Sequence, residues 1–326
     1  MIEARVGPGT SLEHLSALAA AGHAWRPVAT RRSVGRGKSF ASFGEIVQGR
    51  RADGEDFLIT LPVDLWSTCR VSSEPVDGPS AVEATLPKSR RIAEEMLRLL
   101  GLGSGIRLRI ELSRDMPVGK GLSSSTADML AVLRACEELF GVAVRETLVS
   151  RLFTEIEPHE ALHYPVSVVY NHCRGRLMKR LDYIPDFQIV AVDAGGEVCT
   201  QTYNSNLAFT PTFIAEYEHL YQNALSAFAA RDDAAIARCA RRSTELHAAR
   251  TGNVFLDRLL AQADAMGALG LLTAHSGTCG GILLPSTVHD HELAQVQAQV
   301  AHLGVAVFCT RTLAAPAAVI RESSRS

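Results

Sequence analysis

The segment Met116-Pro117-Val118-Gly119-Lys120-Gly121-Leu122-Ser123-Ser124-Ser125-Thr126-Ala127-Asp128 concentrates the residue types that hold phosphate. Glycines let a backbone approach a ligand closely, and the unpaired N–H groups of a helix start form an anion site. The hydroxyls of Ser123, Ser124 and Ser125 suit phosphate oxygens or a hydrated Mg²⁺ shell, and Lys120 adds a point charge. The pattern is not GxxxxGK[ST], so it is no Walker A loop. Without further support, a flexible loop with a serine cap and Asp128 serving the helix dipole would explain it equally well.

Positioning such a loop requires a strand before it and a helix after it, and the chain offers both. IRLRIEL (106–112) alternates as a half-buried strand, and a helix from the serines to about Phe140 follows. Upstream, 39–73 reads as three strands, SFASFGEIVQG, DFLITLPV and STCRVSS, punctuated by Gly49, Gly54 and Pro62. Helical spacing covers 88–100, and a second helix is expected near 145–156. The mixed stretch 158–186 reads as a helix-turn and a passage between domains. Beyond it lie the strand QIVAVDAGG ending at Asp193, a helical region over 213–249 broken near 231–233, and a helix over 254–267. LLTAHSGTCGGILL then reads as strand, glycine turn, strand, before a helix at 290–303 and a strand at 305–310. A short helix near Leu12–Ala21 and an apolar stretch at 313–320 complete the reading. The order predicts two α+β layers sharing a cleft.

Composition narrows the partner. The 326 residues are 47% apolar and 21% charged with a net charge of −2, so the chain is globular and lacks the basic excess of a nucleic-acid or membrane-surface binder. Seven scattered cysteines without metal-ligand spacing fit a reducing cytoplasm and give no zinc site. No run reaches the ~18 apolar residues of a membrane helix. A small molecule is the expected partner. Nothing demands a protein partner, and a homodimer is left open.

Pro-x-x-x-Gly-Leu-x-Ser-Ser-x-Ala after a strand resembles the phosphate-binding motif of the GHMP kinases. Two further segments fall in that family's order: Ser42-Phe43-Gly44-Glu45-Ile46-Val47-Gln48-Gly49, and Ala274-His275-Ser276-Gly277-Thr278-Cys279-Gly280-Gly281. Their forms are similar to those of the L-threonine kinases of cobamide side-chain synthesis. The resemblance implies a two-domain α+β fold, ribosomal protein S5 domain 2-like followed by ferredoxin-like. It assigns 1–32 as an extension, 33–184 as the ATP-binding domain and 185–326 as the C-terminal domain. It implies ATP, Mg²⁺ and phosphorylation of the side-chain hydroxyl of a small amino acid, L-threonine first, with serine, homoserine or another alcohol as alternatives.

The same resemblance assigns Pro117, Gly119, Lys120, Gly121, Leu122, Ser123, Ser124, Ser125 and Thr126 to the nucleotide. It assigns Ser125 (or Ser124) with Glu157 or Glu155 to the metal. Lys120, Glu160 and His159 are the catalytic candidates, Glu160 replacing an aspartate of the family and His159 serving as a base near neutral pH. Glu45 stands where the family carries Lys or Arg, and a carboxylate there suits a substrate ammonium. Gln48, Gly49, Ser276, Gly277, Thr278, Cys279 and Gly280 would line the acceptor. Asp193 reads either as facing the substrate or as a turn residue. Two readings from other classes remain: a chymotrypsin-like cysteine protease using Cys279, which the helices disfavour, and a ligand sensor without catalysis.

Overall fold

The computed structural model describes residues 32–196, 209–275 and 277–313. The expected helix at Leu12–Ala21, most of the stretch 313–320 and Ser276 lie outside them. Strands β1 (Val34–Arg50), β2 (Asp56–Pro79), β3 (Ala81–Glu83) and β4 (Ser104–Arg114) form one half of a curled sheet, with helix α1 (Pro87–Leu99) between β3 and β4. Helices α2 (Ser124–Phe140) and α3 (Glu146–Thr154) follow, then the hairpin β5 (Val168–Asn171) and β6 (Arg176–Arg180). The second half holds β7 (Phe187–Asp193), α4 (Pro211–Ala230), α5 (Asp233–Thr251), α6 (Val254–Ala263), β8 (Gly270–Thr273), β9 (Cys279–Pro285), α7 (Asp290–Val300) and β10 (Ala306–Arg311).

The sheet order is β10-β7-β9-β8-β1-β2-β4-β3, with β5 beside β2 and β6 beyond it. Residues 39–49 of β1 are buried without interruption, because the strand is covered by different helices along its length. Its first half lies under α2, where a Cβ at Gly35 or Gly37 would meet the carbonyl oxygens of Ala135 or Ala131 at 2.1 and 2.0 Å. Its last residues lie under the second half: a Cβ at Gly49 would enter the ring of Tyr217, and the Gln48 N–H donates to Ser243 Oγ at 3.2 Å. Between these stretches, Glu45 pairs with Thr273 and joins β1 to β8. Thus β1 spans the expected boundary between lobes, and the Gly44-Glu45 segment sits at the crossing.

Two elements depart from the sequence expectation. The strands expected on either side of Pro62 are one strand, β2. Pro62 pairs with Ser42 between two register shifts, where the ladder is already interrupted and a missing N–H costs little. Residues 158–186 contain a hairpin rather than a helix-turn. Val168, Val169 and Tyr170 are fully buried, while the outer strand Arg176–Arg180 carries the charges that protect a sheet edge. Helix α2 is buried along Met129, Leu130, Leu133, Cys136 and Leu139, each worth about 1.5–3 kcal/mol on burial, which makes it a rigid mount for the loop before it.

Candidate active site

The loop from β4 to α2 turns through three left-handed residues, Gly119 (φ 72°), Gly121 (φ 82°) and Ser123 (φ 56°). A non-glycine residue in that region is uncommon, and Ser123 is held there by a 2.5 Å hydrogen bond between its hydroxyl and that of Ser42 on β1. The first N–H groups of α2 have no acceptor within the helix and face this turn. The loop is clasped from the other lobe. The Cys279 N–H donates to Lys120 O and the Gly44 N–H to Gly121 O, both at 3.4 Å. A Cβ at Gly277 would lie 2.2 Å from Lys120 O, so glycines 44, 121 and 277 are what allow three chain segments to meet.

Lys120 reaches across to the second lobe, with Nζ 3.0 Å from Asp193 Oδ2 and 2.6 Å from Gly196 O. Thr278 Oγ1 donates to Asp193 Oδ1 at 2.6 Å and the Gly195 N–H does so at 2.9 Å. Burial works against the charged carboxylate, but Thr278, Gly195 and Lys120 together hold Asp193 below the usual carboxylate range. Asp193 is therefore the counter-ion of the loop lysine, a role its place at a strand end did not reveal.

The expected metal pair comes together. Ser125 Oγ donates to Glu157 Oε1 at 2.5 Å, although 32 residues separate them. Glu155 instead pairs with Arg151 on an exposed helix face. Lys88, in the first turn of α1, completes the cluster, with Nζ 2.5 Å from Glu157 Oε2 and 3.3 Å from Ser125 Oγ. Nothing in its sequence neighbourhood signals this. Among the described residues no group of three or more His, Cys, Asp or Glu side chains gathers to hold a metal. One hydroxyl and one carboxylate fit Mg²⁺, which keeps several waters and takes its other oxygens from phosphate.

Around the corner of the same helix end, the Glu160 N–H donates to Thr126 Oγ1 at 3.4 Å. The Glu160 carboxyl meets that of Glu45. Burial above all, then the charge and hydrogen bond of Glu160, push Glu45 well above the carboxylate range, against one hydrogen bond from the His275 N–H. Burial likewise pushes Glu160 up to about 7, against the Glu45 hydrogen bond. Both shifts favour one proton shared by the two carboxyls in the folded protein. The folded protein thus binds a proton that the unfolded chain releases above its ordinary carboxylate pKa, so this contribution to stability is lost as pH rises. The thermal midpoint should fall between about pH 5 and about pH 8, and Glu160→Gln should flatten that fall. An unchanged slope in a melting series would refute the shared proton.

Several expected site residues face elsewhere. His159 is a core histidine: its ring packs edge-on to Phe153, Nδ1 donates to Glu160 O at 2.9 Å, and burial lowers its pKa. It stays neutral and turned away from the loop, unlike the base expected. Gly49 makes room for Tyr217, and a Cβ at Gly280 would press on Leu259 of α6, so both glycines serve packing. Leu122 and the Cys279 side chain are buried in the core. Burial pushes the Cys279 thiol up to about 12, which removes the nucleophile that a protease would need. Gln48 instead meets the segment after β8, the His275 Nδ1–H donating to Gln48 Oε1 at 2.6 Å.

A cleft between two α+β lobes, closed by a serine-glycine loop at a helix start and provided with a hydroxyl-carboxylate pair, defines a phosphotransferase site. Comparison with known proteins agrees. Residues 88–165 match the family model described as GHMP kinases N terminal domain. An L-threonine kinase of Salmonella typhimurium is 26% identical over 263 residues, which cover 77% of this chain and 83% of that protein. An L-threonine kinase of Citrobacter freundii is 22% identical, covering 77% and 86%. Among solved structures, homoserine kinase from Cytophaga hutchinsonii superposes with a TM-score of 0.67 at 16% identity, covering 87% of this chain and 95% of that one. The L. major mevalonate kinase in complex with R-mevalonate gives a TM-score of 0.66 at 16% identity, covering 89% and 99%. Residues 88–165 thus carry a GHMP kinase N-terminal domain, and the chain is similar over most of its length to kinases that phosphorylate hydroxyl groups of small molecules.

Proposed function

We propose that the protein transfers the γ-phosphoryl group of ATP to the side-chain hydroxyl of L-threonine, giving O-phospho-L-threonine and ADP. The observation that carries this reading is the adjacency of two clusters on the first turn of α2: Ser125 bonds Glu157, and Thr126 bonds Glu160 beside Glu45. A phosphoryl donor at the first cluster and an amino-acid acceptor at the second would lie side by side, which is most of what this reaction asks of a protein. The loop 117–126 and Lys120 would hold the phosphates, and Ser125 with Glu157 a hydrated Mg²⁺. That ion, when bound, neutralises charge on the phosphates. Transfer breaks the bond from the γ-phosphorus to the bridging oxygen and forms one to the acceptor oxygen. The acceptor's proton passes to the carboxylate of the Glu45–Glu160 pair that is free to take it. The two L-threonine kinase relatives support threonine over other alcohols. Among the described residues no helix is long and apolar enough to cross a membrane, and Cys69, Cys136, Cys173, Cys239, Cys279 and Cys309 are unpaired thiols, which supports a place in a reducing cytoplasm.

The test is ADP release from MgATP with L-threonine, L-serine, L-homoserine and amine-free alcohols, the product identified by mass. L-threonine should give the highest kcat/KM. Preferred turnover of another acceptor would replace the substrate and keep the kinase. ADP release that no acceptor stimulates would end the kinase reading.

A further inference from the structure

We infer that the cleft takes its acceptor as a zwitterion, the ammonium on the Glu45 and Glu160 carboxyls and the carboxylate at the Gln48 side-chain amide, with His275 fixing both ends of this head-group site. This rests on the kinase reading only in calling the ligand an acceptor. The geometry starts in β1. Residues three apart on a regular strand point to opposite faces, which would separate Glu45 from Gln48. The ladder shifts register between Glu45 and Val47, where Glu45 pairs with Thr60 and Val47 with Ile59. That extra residue returns Gln48 to the side of Glu45. Both then engage one residue of the opposite lobe: Glu45 accepts from the His275 N–H, and Gln48 Oε1 accepts from His275 Nδ1–H.

This arrangement leaves three buried polar atoms without a partner among the described residues: Glu45 Oε2, Glu160 Oε2 and Gln48 Nε2. Glu45 is 3% exposed and Gln48 1%. Each unpaired buried polar atom costs about 1–3 kcal/mol, and His275 fixes the Gln48 amide with its N–H₂ end outward. Two acceptors with a deficit of positive charge and one donor match the two ends of an α-amino acid. The groups that bear on the carboxyls do not fill that deficit. The Thr126 hydroxyl is uncharged, burial keeps the His275 and His172 imidazoles neutral, and the Tyr170 phenol is kept protonated by burial. An arriving ammonium therefore displaces the proton that the carboxyls share, and that proton leaves to solvent.

The experiment is titration calorimetry of the full chain with three probes: L-threonine, (R)-3-hydroxybutyrate, which lacks the ammonium, and (R)-1-aminopropan-2-ol, which lacks the carboxylate. A site built to pair both charges should bind either truncated probe about 10²-fold more weakly than L-threonine, or worse. Repeating the titrations in buffers of different ionisation enthalpy should show a proton released with L-threonine and not with 3-hydroxybutyrate. Glu45→Gln should weaken L-threonine and leave 3-hydroxybutyrate unchanged. Gln48→Leu should weaken L-threonine and leave aminopropanol unchanged. Binding of 3-hydroxybutyrate as tight as that of L-threonine overturns the inference, as does equal weakening of all three probes in both variants or failure of L-threonine, L-serine and L-homoserine to bind at all. The two readings fail separately. L-threonine binding in this pattern without ADP release sinks the kinase and keeps the head-group site, whereas efficient phosphorylation of an amine-free alcohol does the reverse.

Discussion

Glu157→Gln should lower kcat by about 10²–10³-fold while the KM for the acceptor moves little, because the lost charge acts where the phosphoryl group is transferred and not where the acceptor's head group binds. Glutamine keeps the shape of the side chain but has one acceptor oxygen where glutamate has two. It can still accept from Ser125 while its N–H₂ end turns to Lys88, so the change removes the charge together with the Lys88 contact. Lys88 is about half exposed, and its ion pair with Glu157 adds little to stability. The melting temperature should therefore hold within a degree or two of wild type, about what a surface pair of under 1 kcal/mol allows. The decisive series is kcat against free Mg²⁺ for both proteins, with the variant needing more of the ion. A variant rate within about fivefold of wild type at every Mg²⁺ concentration would make Glu157 merely the counter-ion of Lys88, since an electrostatic partner in the transition state is worth far more.

What the sequence made legible follows from how local each signal is. The strand 104–114, the serine-glycine turn and helix α2 were readable because period, glycine and cap residues lie within one short window. The glutamate beside Ser125 needed the family resemblance, and Lys88 escaped even that. It enters from α1, 37 residues upstream, and its only local mark is a helix start at Pro87. The Glu45–Glu160 encounter was hidden for a different reason. It depends on the bulge in β1 and on the single pairing of Glu45 with Thr273, both products of tertiary register. His159 shows the opposite failure. Between proline and glutamate it reads as an exposed base, yet Phe153 and Tyr170 draw the ring inward, where Nδ1–H donates to the Glu160 carbonyl and Nε2 accepts from the Tyr170 hydroxyl. Pro62 misled for the same reason in reverse: a residue that breaks a regular strand is harmless where the strand is already irregular.

Gly121→Ala should cost at least about 10² in kcat/KM, the scale of an ångström-level misplacement of a catalytic constellation. The backbone there stands at φ +82°, and the added methyl would lie 2.1 Å from the Cβ of Ala274 and 3.0 Å from the Cα of Gly277. No rotamer relieves a Cβ, so one of the two facing loops must retreat. Either movement strains the hydrogen bond from Cys279 N–H to Lys120 O and the pairing of Lys120 with Asp193, which are what hold the loop against the second lobe. Backbone strain alone would produce a different result, and Gly101→Ala isolates it. Gly101 also has a left-handed φ, +69°, but an added Cβ there meets nothing within 4 Å. That variant should lose about 1–2 kcal/mol of stability and no activity. Melting curves and kcat/KM for both proteins separate the cases. If Gly121→Ala matches Gly101→Ala in activity as well as in stability, the two loops can part without consequence, and the clasp between Gly121 and Gly277 plays no role in phosphoryl transfer.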